Sequence, residues 1–317
     1  MLSARTEALT IVIHYVGPLV NFVYRKIQDI FYSKIKDMEV EQLPNLTRYA
    51  HGSVKELWSV SLPLMLSTFA SLLMIFVDRM FLARHSTEAL NAAVGAGTWA
   101  WAFLGGFGMF ASMSEVFVSQ YNGAKKPHLI GSCVWQMIWI SVLSVLVFLP
   151  LGFWGGHHIL PANPLHLSYF KYLMVFGPFY ALMTALSGFY VGRGKTYLLI
   201  YLAVLGNVIN IFLDALFIFG VPGWIPKMGI MGAAIATSVG YILQAIILLF
   251  IFLKYDYHTR FQTRNWRIVP ELFYKSFRVG FPQGLFYTVE IIGIAVFYQL
   301  MESTGKDHIT ISSICQS

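Results

Sequence analysis

Again and again along its 317 residues this chain runs apolar for about twenty residues. That is the length a helix needs to cross a bilayer core of about 30 Å. Seven such runs are legible, at 58–83, 93–118, 129–154, 169–191, 197–221, 230–253 and 279–301. Hydrocarbon holds no water to satisfy backbone N–H and C=O groups, so runs of this length must close their hydrogen bonds internally, as helices do. The expected fold class is therefore all-α, a polytopic helical membrane protein with about seven transmembrane helices. Composition agrees, with 12% charged residues against about 25% in soluble domains.

The formal net charge is +7, and its distribution argues against a nucleic-acid partner. With the N-terminus in the cytoplasm, one side of the membrane holds Lys36, Arg48 and Lys55, then Lys125 and Lys126, then Arg193 and Lys195. After the sixth run it also holds Lys254, Arg260, Arg264, Arg267, Lys275 and Arg278. The other side holds Arg84, Lys227 and Lys306. Such a bias orients membrane proteins with the basic side inward. A multi-pass protein of the cytoplasmic (inner) membrane is expected, its N-terminus in the cytoplasm.

The stretch "TIVIHYVGPLVNFVY" (10–24) is short for a span and reads as an interfacial helix lying on the membrane. "NLT" at 45–47 matches a glycosylation acceptor, but on this topology it faces the cytoplasm. Cys133 and Cys315 form no disulfide framework. The histidines show no metal-ligand spacing, and no nucleophile–base pair is present. Neither an enzyme nor a cofactor is expected.

Two stretches resemble one another. "KELWSVSLPLMLSTFASLLMIF" from Lys55 and "PELFYKSFRVGFPQGLFYTVEIIGIAVF" from Pro270 both open with Glu-Leu-aromatic and reach a proline inside an apolar run, Pro63 and Pro282. Six spans separate them, so both begin on the same face of the membrane. Parallel repeats of this kind are a common plan for secondary transporters, with the substrate between the halves. The expected division is an N-terminal segment at 1–55, a six-helix lobe at 56–254, a basic linker at 255–278, and at 279–317 the first helix of a second lobe. On this reading the chain is truncated by about five helices, and a separately encoded C-terminal lobe is a candidate partner.

The candidate site begins with "NVINIFLDALFIFG" (207–220). Asn207, Asn210 and Asp214 fall at offsets of three and seven, on one stripe of a helix. A charge at a helix centre costs about 2.5–3.5 kcal/mol on insertion scales, so an intramembrane acid is a functional hypothesis by default. The plainer alternative is a protonated or hydrogen-bonded acid that holds two helices together. Asp78 sits near the outer end of the first run, in "MIFVDRMFLARHSTEAL", where with Arg79 it could simply mark the membrane edge. Both odd-numbered spans run outward, so Asp78 and Asp214 arrive in the same half of the membrane. Two carboxylates in a poorly hydrated pocket cannot both ionise cheaply, which makes holding or releasing a proton switchable near neutrality.

On "VDRMFLARHSTEALNAAV" (77–94), "SEVFVSQYNGAKK" (114–126), "NVINIFLD" (207–214) and "MGIMGAAIATSVG" (228–240), taken in order, the chain resembles the multidrug and toxic compound extrusion (MATE) transporters. The likeness covers about 56–301. It implies a twelve-helix plan of two six-helix lobes and export of organic cations and drugs in exchange for protons or sodium ions. Carried onto this chain, it implies a cation-binding cluster of Asp78, Asn207, Asn210 and Asp214, with Thr237 as a further member, and sodium, where used, at Asp78 and Asp214. Pro63 matches a proline about which the first helix bends. Glu290 matches an acid of the second lobe, and Glu115 a glutamate of helix two for which a packing role is equally open. Two alternatives stand: a related lipid-linked-oligosaccharide flippase, which would show a strongly cationic cavity that these spans lack, and a membrane protein that transports nothing by itself.

Other features read plainly. "GRGKT" (192–196) lacks the first glycine of a phosphate-binding loop and follows a membrane helix, so it is expected to be a basic turn. Gly232, Ala236 and Gly240, and likewise Gly105, Gly106 and Gly108, are expected to let helices approach closely. Trp99, Trp101, Trp135 and Trp139 are expected at the interface belt and against lipid.

Overall fold

The computed structural model describes residue 49 and residues 53–160 and 162–304. The stretch at 10–24, the acceptor at 45–47 and Cys315 lie outside the described residues. Among the described residues seven helical stretches are long and apolar enough to cross a membrane, in the order and at the places the apolar runs predict.

Helix α1 (Val54–His85) opens where Ser53 Oγ accepts from the Glu56 N–H at 3.2 Å, the Ser-x-x-Glu start that satisfies an orphan donor. It runs without a break across Pro63. Ser86, in extended conformation, ends α1 and caps α2 (Thr87–Ala111) by accepting from the Ala89 N–H at 2.9 Å. Helix α3 (Met113–Gly123) completes the second span.

The third span is not the single helix its apolar run suggests. It comprises α4 (Ile130–Leu143), α5 (Val145–Pro150), a π-helical turn (Leu151–Gly155) and α6 (Gly156–Ile159). Pro150 has no N–H to donate, and Gly152, Gly155 and Gly156 leave the backbone free to widen just after it.

Asn163 caps α7 (Pro164–Val191), its Oδ1 accepting from the Leu165 N–H at 2.9 Å. Helix α8 (Tyr197–Phe219) stops at Gly220, whose φ of 71° suits glycine, and α9 (Ile230–Phe252) follows. Helices α10 (Tyr255–Phe261) and α11 (Pro270–Thr304) end the described chain.

Helix α7 stands at the centre, packed against α2, α3, α4 and α9, while α8 lies between α9 and α1 and α11 lies on α2. The expected glycine contacts are present. A Cβ on Gly284 would come 2.6 Å from the Gly106 carbonyl oxygen, and one on Gly232 would come 2.6 Å from the Phe217 backbone. Gly105 faces Tyr287 and Gly108 faces Tyr180. Helices α1 and α11 leave large apolar side chains exposed along much of their length, among them Phe69, Leu72, Phe286 and Phe297.

Two expectations need correction. Residues 255–278 are not one linker: 255–261 form α10, and 270–278 already belong to α11, which starts at Pro270 because proline suits a first helical position. What remains is a short irregular strap, 262–269, seated against α4. Trp135 Nε1 donates to the Thr263 carbonyl at 2.7 Å, Trp139 Nε1 to that of Trp266 at 2.9 Å, and Gln136 Nε2 to that of Arg267 at 3.2 Å. The Val269 N–H donates back to Gln136 Oε1 at 3.3 Å. These indoles therefore hold backbone instead of merely facing lipid. Trp99 is likewise packed against a core cluster, and Trp101 Nε1 donates to Tyr287 Oη at 3.0 Å.

Helix α10 is tied back to the α7–α8 turn through Arg193. Its guanidinium lies 4.2 Å from the Phe261 ring centroid, 4.5 Å from that of Phe189 and 4.9 Å from that of Tyr257. Burial draws the Arg193 pKa down, and the neighbouring Tyr257 and Tyr190 draw it back up. The 192–196 segment is a turn, as expected.

Candidate functional site

Three helices bring the polar residues together. Asp78 lies two turns before the end of α1, Asp214 near the end of α8 and Thr237 two turns after the start of α9. All three therefore sit at one end of the bundle. Close approach of α8 and α9 is allowed at Gly206, where a Cβ would meet Gln244 at 2.5 Å, and at Gly240, which faces the Gly206 carbonyl and the Asn210 Cβ.

Asn210 is the bridge. Turned so that its amide nitrogen faces the acids, it donates to Asp78 Oδ1 at 3.0 Å and to Asp214 Oδ2 at 3.2 Å. Its oxygen then accepts from the Thr237 backbone N–H at 3.1 Å. Asp78 is within hydrogen-bonding reach of both Asp214 and the Thr237 side chain. Asn210 and Asp214 are fully buried, Thr237 is buried, and Asp78 is partly buried. Two carboxyl groups this close repel by about 4 kcal/mol at 4 Å and an effective dielectric of 20 if both are ionised. A shared proton or a bound cation would relieve that repulsion.

Asn207 is buried on the same stripe, but its Nδ2 finds no hydrogen-bond partner among the described residues. The same holds for Asp214 Oδ1. An unsatisfied buried donor and acceptor two turns apart on α8 leave polar capacity beyond the Asn210 bridge. No group of three or more His, Cys, Asp or Glu side chains able to hold a metal ion forms among the described residues.

Tyr169, Tyr241 and Arg79 are electrostatic neighbours of the Asp78 carboxyl. The two tyrosines come from α7 and α9, and nothing in the sequence marks them apart from their place in apolar runs. Arg79 is legible there only as a charge beside Asp78.

The remaining candidates lie elsewhere. Glu115 is half-buried on α3, its backbone packed against Gly188 and Gly192 near the far end of α7. Gly188 and Tyr169 are about 28 Å apart along that helix at 1.5 Å per residue, so Glu115 does not join the acid pair. Glu290 is exposed on α11 and makes no hydrogen bond to the cluster. Pro63 is buried near the other end of α1, about 22 Å from Asp78 by the same rise.

The MatE family profile matches residues 63–216. A curated protein of Mannheimia succiniciproducens, "Probable multidrug resistance protein NorM", is 28% identical across 80% of this chain and 56% of its own length. One of the same description from Thermotoga maritima is 26% identical with the same coverage. The chain thus spans about half the length of the curated relatives it matches. Among solved structures, "Crystal structure of MATE in complex with MaL6" superposes with a TM-score of 0.66 at 20% identity, over 81% of this chain and 58% of that one. An outward-facing multidrug resistance MATE family transporter superposes at 0.63 with 18% identity, over 83% and 62%. At these identities the structural likeness speaks for the fold.

Proposed function

We propose, for a chain that belongs to the MATE family, that it carries the cation-coupling lobe of an antiporter exporting bulky, often cationic organic compounds from the cytoplasm. Members of this family are transporters, not enzymes. The substrate class follows the relatives, which are described as multidrug resistance proteins. The observation that carries the reading is the Asn210 amide shared between acids on two different helices.

The coupling works through the charge of that pair. When a proton or cation is held, Asp78 and Asp214 tolerate one another and α1 stays drawn to α8 and α9. When it leaves, the two ionised carboxylates repel and favour a conformation with α1 displaced. Helix α1 suits this movement, being packed mainly on α8 and largely exposed elsewhere. Pro63 supplies a missing backbone hydrogen bond about which it can bend. A ligand shifts such an equilibrium only by its difference in affinity between the two states, and the acid pair provides that difference.

The coupling ion is a proton or sodium: with its nitrogen toward the acids Asn210 donates to them, and with the amide turned over its oxygen would join the carboxylates as a cation ligand. Arg79, Arg84 and Lys227 lie at the acid end, but the larger share of the basic residues, among them Lys125, Lys126, Arg193, Lys195, Arg260 and Arg264, lies at the opposite end, which supports a topology with that end in the cytoplasm. In domain terms, 56–254 form the lobe, with α10 and the strap fastened to it and α11 packed on α2.

The test is dye efflux from proteoliposomes containing the purified chain, with a proton or a sodium gradient imposed separately. Movement of a fluorescent organic cation should follow one of the two gradients, which identifies the coupling ion, and fall at least about tenfold in Asp78→Asn and in Asp214→Asn. Wild-type chain that moves no dye under either gradient, or two variants that match wild type, would overturn the reading.

A further inference from the structure

The strap at 262–269 is held by its backbone and shows its side chains outward. One face of α4 grips it through Ser132, Trp135, Gln136 and Trp139, spaced three, four and seven residues apart, so they lie on one stripe. Gly131 on the same helix leaves room for it, since a Cβ there would come 2.5 Å from the carbonyl oxygens of Phe261 and Gln262. Fastened this way, the strap lies along the flank of a membrane-spanning helix. Its own indole at Trp266 continues the column of Trp135 and Trp139, with the 139–266 ring centroids 6.5 Å apart.

The outward side chains alternate in character. Arg264 and Arg267 are exposed, and between and beyond them Trp266 and Ile268 are 63% and 57% exposed. Residues 254–278 contain six Lys and Arg against two Asp and Glu. No carboxylate among the described residues pairs with Arg264 or Arg267. Large apolar side chains interleaved with uncompensated guanidinium groups, at the depth of an indole column, match the chemistry of a phospholipid headgroup layer.

We propose that the strap is a docking surface for anionic phospholipids, with Trp266 and Ile268 entering the acyl boundary and Arg264 and Arg267 meeting the phosphates. Arg264 also donates through Nε to the Leu253 carbonyl at 3.1 Å, closing the end of α9. Its remaining N–H groups stay available. Lipid bound here would fasten the connection between the sixth and seventh spans to the membrane surface. The inference rests on the strap's geometry and charge, and does not depend on dye transport.

The test uses the full chain in phosphatidylcholine vesicles carrying an equal fraction of either acyl-brominated phosphatidylglycerol or acyl-brominated phosphatidylcholine, reading tryptophan quenching. Brominated phosphatidylglycerol should quench with an apparent preference of about fivefold or more. Trp266→Phe should remove most of that preferentially quenched signal, and Arg264→Gln/Arg267→Gln should abolish the preference while circular dichroism stays unchanged. Arg267→Gln alone, which keeps the backbone carbonyl that Gln136 holds, should weaken it. Soluble glycerol phosphate should not compete. Equal quenching by the two lipids, or a preference that survives the arginine replacements, would overturn the proposal.

Discussion

Asn210 and Asp78 stand on different helices, and with the amide nitrogen turned toward the acids Asn210 donates to the Asp78 carboxylate at 3.0 Å. The same amide reaches Asp214 on its own helix at 3.2 Å, so one side chain mediates between two acids that would otherwise repel. Replacing it by alanine leaves both carboxyl groups without that donor in a buried site. We expect Asn210→Ala to destabilise the chain by about 1–3 kcal/mol. The loss should shrink in the Asp78→Asn background, and a double-mutant cycle by chemical denaturation in detergent measures the difference. A cycle with no coupling would mean that the amide does not act through Asp78.

Helix α11 depends on α2 for its seat. Gly106 and Gly284 face one another, and Gly106 also faces the Thr288 side chain. Gly284→Val should lift α11 from α2, at a cost of about 1–3 kcal/mol from overpacking. A disulfide pair engineered between the two helices should then cross-link at least about tenfold more slowly than in the parent.

At Gly131 the obstacle to a side chain is backbone, the Phe261 and Gln262 carbonyls, which cannot rotate away. Gly131→Val is expected to unseat the strap while leaving the spans intact. Trypsin cleavage after Arg264 and Arg267 should become several-fold faster, with unchanged helical content by circular dichroism.

Arg193 holds α10 through ring faces, and cation–π contacts contribute about 0.5–2 kcal/mol depending on burial. Arg193→Lys keeps the charge but loses the flat guanidinium, so it should retain part of the stability. Arg193→Leu should lose more, as read by the thermal midpoint. Equal stability of the two variants would show that charge over the rings contributes nothing.

Pro63→Ala restores a backbone donor in α1 and should stabilise that helix, by up to the roughly 3 kcal/mol that separates proline from alanine in a helix interior. If α1 bends there during coupling, gradient-driven dye movement should fall several-fold while ion binding at the acid pair persists. Unchanged transport would remove Pro63 from the mechanism.

The sequence by itself determined the seven spans, because run length against bilayer thickness is a one-dimensional property. It also placed Asn207, Asn210 and Asp214 on one stripe, since helical periodicity fixes which residues share a face of their own axis. The serine caps at 53 and 86 belong to the same local order. Neighbours across helices were beyond it. In spans that are apolar all round, no hydrophobic stripe marks the inward face, and small-residue contacts such as Gly206 against Gln244 decide which helix lies beside which. Only that packing set Asn210 between Asp78 and Asp214, left Asn207 outside the bridge, and turned Trp135, Gln136 and Trp139 into the seat of a strap.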